Sequence, residues 1–145
     1  MKNFSSWLKT AAIFQLLTAI IHVTTLFITP TPSNETEKQL YSLMDTYKFD
    51  FGAGFHRTMN ELMLPLSACL TLLCLFGGML NWYLLKKKTD TGIMKGVINI
   101  NLIVFGICFV LTAKFAFLPP IIMMGLIVLF LILSRITINI SAMDD

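Results

Sequence analysis

The chain has 145 residues, 56% hydrophobic and 13% charged, with a formal net charge of +3 and a mean hydropathy of +0.76. A soluble domain is about 45–50% apolar and about 25% charged, so this chain lacks the ionised groups needed to cover a globular surface. That excludes a soluble enzyme, a nucleic-acid binder and a disordered tail, and the length suits one integral membrane domain over residues 1–145.

The apolar residues fall in blocks. Crossing a hydrocarbon core about 30 Å thick takes about 20 mostly apolar residues in a helix, and four stretches qualify. The first runs from Leu8 to Thr29 and the second from Thr58 to Leu85. The third covers Gly92 to Ala113 and the fourth Phe117 to Ile138. Backbone groups in lipid must be satisfied internally, so these spans are helices, and no segment alternates as a membrane β-barrel strand does. The predicted fold is therefore all-α, a four-transmembrane-helix bundle. Lys2 and Lys9 precede the first run as they would in a signal peptide, but the run is too long and no clear cleavage site follows. It reads as a retained anchor.

The breaks between spans follow from residue chemistry. Pro30 and Pro32 end the first, Lys86-Lys87-Lys88 followed by TDTG ends the second, and Pro119-Pro120 opens the fourth, where a missing N–H costs nothing. Pro65 lies inside the second pattern and predicts a kink or a late helix start.

The external loop, residues 30–57, is the only sizeable segment outside the spans. Asn34 and Glu37 make a capping-box-like start, and Leu40, Leu43, Met44 and Tyr47 then recur at helical spacing. A short amphipathic helix is predicted there, lying on the membrane or folded over the bundle mouth. Residues 49–55, Phe-Asp-Phe-Gly-Ala-Gly-Phe, turn the chain back, with Gly52 and Gly54 as turn residues. Asn34-Glu35-Thr36 matches the N-x-[ST] sequon beside the membrane.

Lysine and arginine set the orientation. Lys2, Lys9, Lys86, Lys87, Lys88, Lys95 and Arg135 fall on one side, against Lys38, Lys48, Arg57 and Lys114 on the other. Both termini are therefore expected in the cytoplasm, with Trp7, Trp82 and Tyr83 in the cytoplasmic aromatic belt. Phe49, Phe51, Phe55 and Phe115 fit the opposite belt, and Lys95 snorkels to the cytoplasmic surface. The expected location is a cell membrane, the inner membrane if the source is bacterial.

Function in such a chain is sought among polar groups that hydrocarbon makes expensive. Gln15, Thr18, His22 and Thr25 fall within an arc of about 80° on the first helix. Asn60, Ser67, Thr71, Cys74 and Gly78 form a stripe on the second, with Asn81 at its edge. The third helix carries Asn101, Cys108 and Thr112 on one face and Asn99 with Gly106 on the other. Such stripes commonly mediate helix packing. The fourth helix is almost wholly apolar until Ser134 and is expected to face lipid most.

The candidate polar site comprises Gln15, His22, His56, Arg57, Asn60 and Glu61. The first helix runs outward and the second inward, so His22 and Glu61 are expected at comparable depth near the external face. A pair there would carry protons, hold a polar headgroup or tie two helices together. Metal ligation would draw on the two histidines, Glu61, Met59 and Met63, but no HExxH or paired-cysteine spacing occurs. The nine methionines are scattered through the spans as apolar filler. Cys69, Cys74 and Cys108 are odd in number and form no CxxC. No nucleophile elbow or phosphate loop appears. No catalytic set, metal or cofactor is predicted.

The segments WLKTAAIFQLLTAIIH, NETEKQL, FGAGFHRTM and LCLFGG together resemble those of small uncharacterised bacterial four-span membrane proteins. The resemblance covers most of the chain and implies membrane residence with no known activity. The run HRTMNELMLP also invites comparison with four-span glutathione-handling membrane proteins, which carry Arg, Asn and Glu at this position. That family spreads them over about two helical turns, whereas Asn60 and Glu61 are adjacent here. Small four-helix drug exporters place a carboxylate deep in the first span, where this chain has Gln15 and His22.

The expected function is thus a non-enzymatic, multi-pass membrane protein with an accessory or interaction role. Its expected partners are the lipid bilayer and another membrane protein or a second copy of itself, with no nucleic acid. The alternative is a membrane-embedded enzyme or a lipid- or quinone-binding protein using the polar cluster near the external ends of helices 1 and 2.

Overall fold

The computed structural model describes residues 2–28 and 31–141. The expected end of the first span at Thr29, the break at Pro30 and the Lys2 side chain lie outside the described residues. Five helices and one hairpin follow in order: α1 (Lys2–Thr25), α2 (Glu35–Thr46), β1 (Lys48–Asp50), β2 (His56–Thr58), α3 (Met59–Lys86), α4 (Thr91–Phe115) and α5 (Leu118–Ser141). The fold is all-α apart from the hairpin. Four helices, α1, α3, α4 and α5, are long and apolar enough to cross a membrane.

The chain divides into two compact units, one of residues 1–18 with 73–145 and the other of residues 19–72. In the first unit four helical segments share a core whose residues recur at intervals of three and four. Leu8, Ala11, Ala12 and Gln15 of α1 are buried, as are Cys74, Gly77, Gly78 and Asn81 of α3. Met94, Ile98, Asn101 and Phe105 of α4 join them, with Met124, Ile127, Leu131, Ser134 and Ile138 of α5. That spacing lets one stripe of each helix meet its neighbours at the shallow crossing angles of a bundle.

Specific contacts fix the directions. The Ser134 hydroxyl donates to the Phe4 carbonyl at 3.1 Å, which sets the end of α5 beside the start of α1. Lys9 Nζ lies 5.6 Å from the ring centre of Trp82, so the end of α3 is there too. The Phe130 ring stacks on both Trp7 and Phe14, with centroids 5.9 and 5.3 Å away. Within this unit the helices alternate in direction, as the short connections from α3 to α4 and from α4 to α5 require.

The outward surface is apolar. Phe76, Ile100, Ile103 and Val110 are all more than 60% exposed, a distribution that suits lipid and would be a liability in water. The expectation that the fourth span faces lipid most is corrected. Of its most apolar stretch α5 buries 28%, whereas α4 buries 17%. A helix that is almost wholly apolar still packs, because large side chains such as Met124, Ile127 and Leu131 fill the core.

Helix ends follow their capping residues. Asp90 caps α4 by accepting from the Gly92 and Ile93 N–H groups, and Pro119 and Pro120 sit in the first turn of α5. α3 stops at its lysines, where Lys88 adopts a φ of 51° and the Thr89 N–H returns to the Leu84 carbonyl at 3.3 Å. That bond satisfies a last-turn carbonyl. α3 begins at Met59, six residues before Pro65, so a late helix start does not occur.

In the second unit, Asn34 caps α2 by accepting from the Glu37 N–H at 2.9 Å, while the Glu37 carboxylate accepts from the Ser33 N–H. The hairpin that follows is antiparallel, with Lys48 opposite Thr58 and Asp50 opposite His56. Its loop uses positive φ at Gly52, Ala53 and Gly54. A two-stranded hairpin alone is marginal in water. Here β2 packs against α2, and β2 runs directly into α3.

Candidate functional site

Three amides from three helices meet in the core of the first unit. Asn81 Nδ2 donates to Gln15 Oε1 at 2.9 Å, and Gln15 Nε2 donates to Asn101 Oδ1 at 3.1 Å. Asn101 Nδ2 in turn donates to the Val97 carbonyl at 2.9 Å. Gln15 and Asn81 are fully buried. Asn81 Oδ1 is buried and has no hydrogen-bond partner. Gly77 leaves the room for this cluster, and Gly78 admits the adjoining turn of α1. A Cβ on Gly77 would stand 2.8 Å from Gln15 Nε2, and one on Gly78 would stand 2.8 Å from Leu16 Cγ. Gln15 is thus a packing residue of the first unit.

The other five candidate residues lie in the second unit, where they separate into three places. His22 is half-buried and its Nδ1 lies 3.1 Å from Thr71 Oγ1. Thr71 also donates to the Ser67 carbonyl, so in that geometry the histidine nitrogen is the group left to donate to Thr71. Glu61 stands ten residues before Thr71 on α3, about 15 Å along the axis at 1.5 Å per residue. The expected equal depth of His22 and Glu61 is therefore corrected. The packing register of α1 on α3 puts the histidine level with Thr71.

Glu61 instead completes a capping box. Its Oε2 accepts from the Thr58 N–H at 2.8 Å, and its own N–H donates to Thr58 Oγ1 at 3.3 Å. Asn60 Nδ2 donates to Asp45 Oδ1, which ties the start of α3 to α2. His56 and Arg57 sit on the exposed hairpin strand. His56 Nδ1 is 3.9 Å from Asp50 Oδ1 across the strand pair, and Arg57 Nη1 donates to the His56 carbonyl.

Asn60 and Glu61 do share a feature that the sequence did not reveal. They line a cleft of about 770 Å³ between α2, the end of α1 and the start of α3. Leu26, Ile28, Met44, Met63 and Leu64 supply its apolar wall, and Tyr41, Asp45, Lys48, Thr58 and Ser67 its other polar groups. Neither His22 nor Gln15 lines it. Sequence reasoning missed Tyr41, Asp45 and Lys48. The signal available was the spacing of Tyr41, Met44 and Asp45 along one face of α2, adjacent to the face carrying Leu40 and Leu43, with Lys48 following at the start of β1.

Among the described residues no group of three or more His, Cys, Asp or Glu side chains is placed to hold a metal ion. Cys69, Cys74 and Cys108 are free thiols. No protein-family model, curated protein or solved structure matches this chain.

Proposed function

We propose that this chain is a four-span integral protein of a cell membrane, the bacterial inner membrane, with both termini cytoplasmic and a non-catalytic accessory or interaction role. The observation that carries the reading is the destination of the polar groups in the spans. Gln15, Asn81 and Asn101 bond one another, His22 meets Thr71, and Ser134 bonds the Phe4 backbone. These groups join helices, at about 0.6–2 kcal/mol per bond. The orientation is supported by Lys9, Trp82 and Lys87 lying together with the Tyr83 ring at one end of the first unit.

The test is made on the full chain in cells. Resistance to carbonate extraction, a cytoplasmic readout from a carboxy-terminal reporter and a discrete cross-linked complex in the membrane are expected. An extractable protein overturns the membrane placement, an external reporter overturns the orientation, and the absence of any complex overturns the interaction role. The alternative, binding of a lipid or quinone at the external end of α1 and α3, is favoured by one observation, the cleft at Asn60 and Glu61.

A further inference from the structure

We propose that the cleft between α2 and the ends of α1 and α3 binds a phospholipid with a primary-amine zwitterionic headgroup, of the phosphatidylethanolamine type. The proposal rests on the membrane placement of the four long helices and narrows the lipid-binding alternative to one class of ligand.

Three features carry it. The first is size and lining: about 770 Å³ with apolar residues from both helix ends falls within the about 300–1,000 Å³ of small-molecule sites. Leu26, Met63 and Leu64 belong to or adjoin membrane-length helices, so an acyl chain entering along them stays in apolar surroundings.

The second is charge. The lining carries two carboxylates, Asp45 and Glu61, and one ammonium, Lys48. An anionic headgroup would meet a net negative wall. A headgroup carrying its own phosphate and ammonium pairs with both signs, the phosphate with Lys48 and the ammonium with the carboxylates. Among the described residues no carboxylate forms an ion pair with Lys48; the ion pairs are Lys38–Glu35 and His56–Asp50.

The third is preorganisation. Each carboxylate is fixed through one oxygen and keeps the other. Asp45 Oδ1 accepts from Asn60, and Glu61 Oε2 accepts from the Thr58 backbone. A side chain already oriented by one bond loses less freedom on making the next. A primary ammonium offers three N–H donors to the remaining oxygens, whereas a trimethylated amine offers none, so the site discriminates by hydrogen bonding as well as by charge.

The experiment is native mass spectrometry of the delipidated full chain, titrated with dioleoyl phosphatidylethanolamine, phosphatidylcholine and phosphatidylglycerol. Loss of charge-assisted hydrogen bonds predicts binding of the ethanolamine lipid about tenfold tighter than of the choline lipid. The Asp45→Asn/Glu61→Gln double variant is expected to abolish that ratio. Both replacements keep an acceptor oxygen for Asn60 and for the capping box, and unchanged helical content by circular dichroism verifies the fold. Lys48→Gln is expected to weaken the ethanolamine and choline lipids alike. Free phosphoethanolamine at the same concentration is expected not to compete. Equal binding of the ethanolamine and choline lipids, tightest binding of the glycerol lipid, a ratio unchanged in the double variant, or competition by free phosphoethanolamine overturns the proposal. Carbonate extraction separates the two layers: a resistant chain with no headgroup preference loses only this proposal, and an extractable one loses the membrane placement beneath it.

Discussion

Gln15 Oε1 and Asn81 Nδ2 form a 2.9 Å hydrogen bond between two helices, across 66 positions of sequence. Both side chains are fully buried, so removing Gln15 leaves the Asn81 amide only its longer 3.4 Å bond to Asn101 Oδ1. Gln15→Leu is expected to destabilise the protein by about 1–3 kcal/mol, the cost of an unsatisfied buried amide. Gln15→Leu/Asn81→Leu is expected to cost less than the sum of the two single changes, since the double variant strands fewer groups. Unfolding by denaturing detergent from mild-detergent micelles reads both quantities. Strict additivity would show that the two amides do not act as a pair.

Glycines on the same stripe of α3 give a second expectation. A methyl at Gly78 meets Leu16 at 2.8 Å and the Ala12 backbone oxygen at 3.1 Å, whereas one at Gly106 of α4 meets nothing within 4 Å. Gly78→Ala is expected to cost about 1–3 kcal/mol through overpacking. Gly106→Ala is expected to be neutral or slightly stabilising, as alanine is the better helix former. The same detergent titration ranks the two variants, and an equal effect would refute the close approach.

The capping box at the start of α3 makes a third. Thr58→Ala removes the side-chain acceptor of the Glu61 N–H and is expected to cost about 0.5–2 kcal/mol. Glu61→Ala is expected to lower stability as well, while Glu61→Gln retains the reciprocal bond and stays near the parent. Amide hydrogen exchange at Thr58 and Glu61 reports the effect locally, with faster exchange in the two alanine variants only.

Opposite signs are expected within one hairpin loop. Ala53 has a φ of 50° and Gly54 a φ of 81°. A side chain in the left-handed region costs roughly 1–2 kcal/mol relative to glycine, so Ala53→Gly is expected to protect the β1–β2 amides from exchange and Gly54→Ala to expose them. Space does not interfere, since nothing lies within 4 Å of a methyl placed on Gly54.

How far these features are legible in the chain depends on how local their cause is. The four long helices follow from runs such as Leu118 to Leu133, because hydrophobicity and length are properties of one segment. The Asn34 cap of α2 was readable for the same reason, and so was the Thr58-x-x-Glu61 box, a four-residue pattern. The sequence nevertheless also offers Glu61 as a partner for His22. The depth of His22 against α3 is set by how the flanking side chains interlock, which no single segment encodes. The amide cluster shows the same limit. Gln15, Asn81 and Asn101 stand out individually as costly residues in a span, but their meeting depends on the rotation of three helices. The hairpin strands, three residues each, are too short to show an alternating pattern.

Pro65 gives the cleft a mechanical character. With no N–H it leaves the Glu61 carbonyl without its regular donor four residues on, at the seventh position of α3. The segment from Met59 to Leu64, which forms one wall of the cleft, is therefore coupled to the rest of its helix by one bond fewer than a regular helix supplies. Its position is set instead by the Asn60–Asp45 bond and the Thr58–Glu61 box. The width of the opening is thus governed by the Asn60–Asp45 bond that joins its two walls, and a guest that competes for that bond widens its own berth.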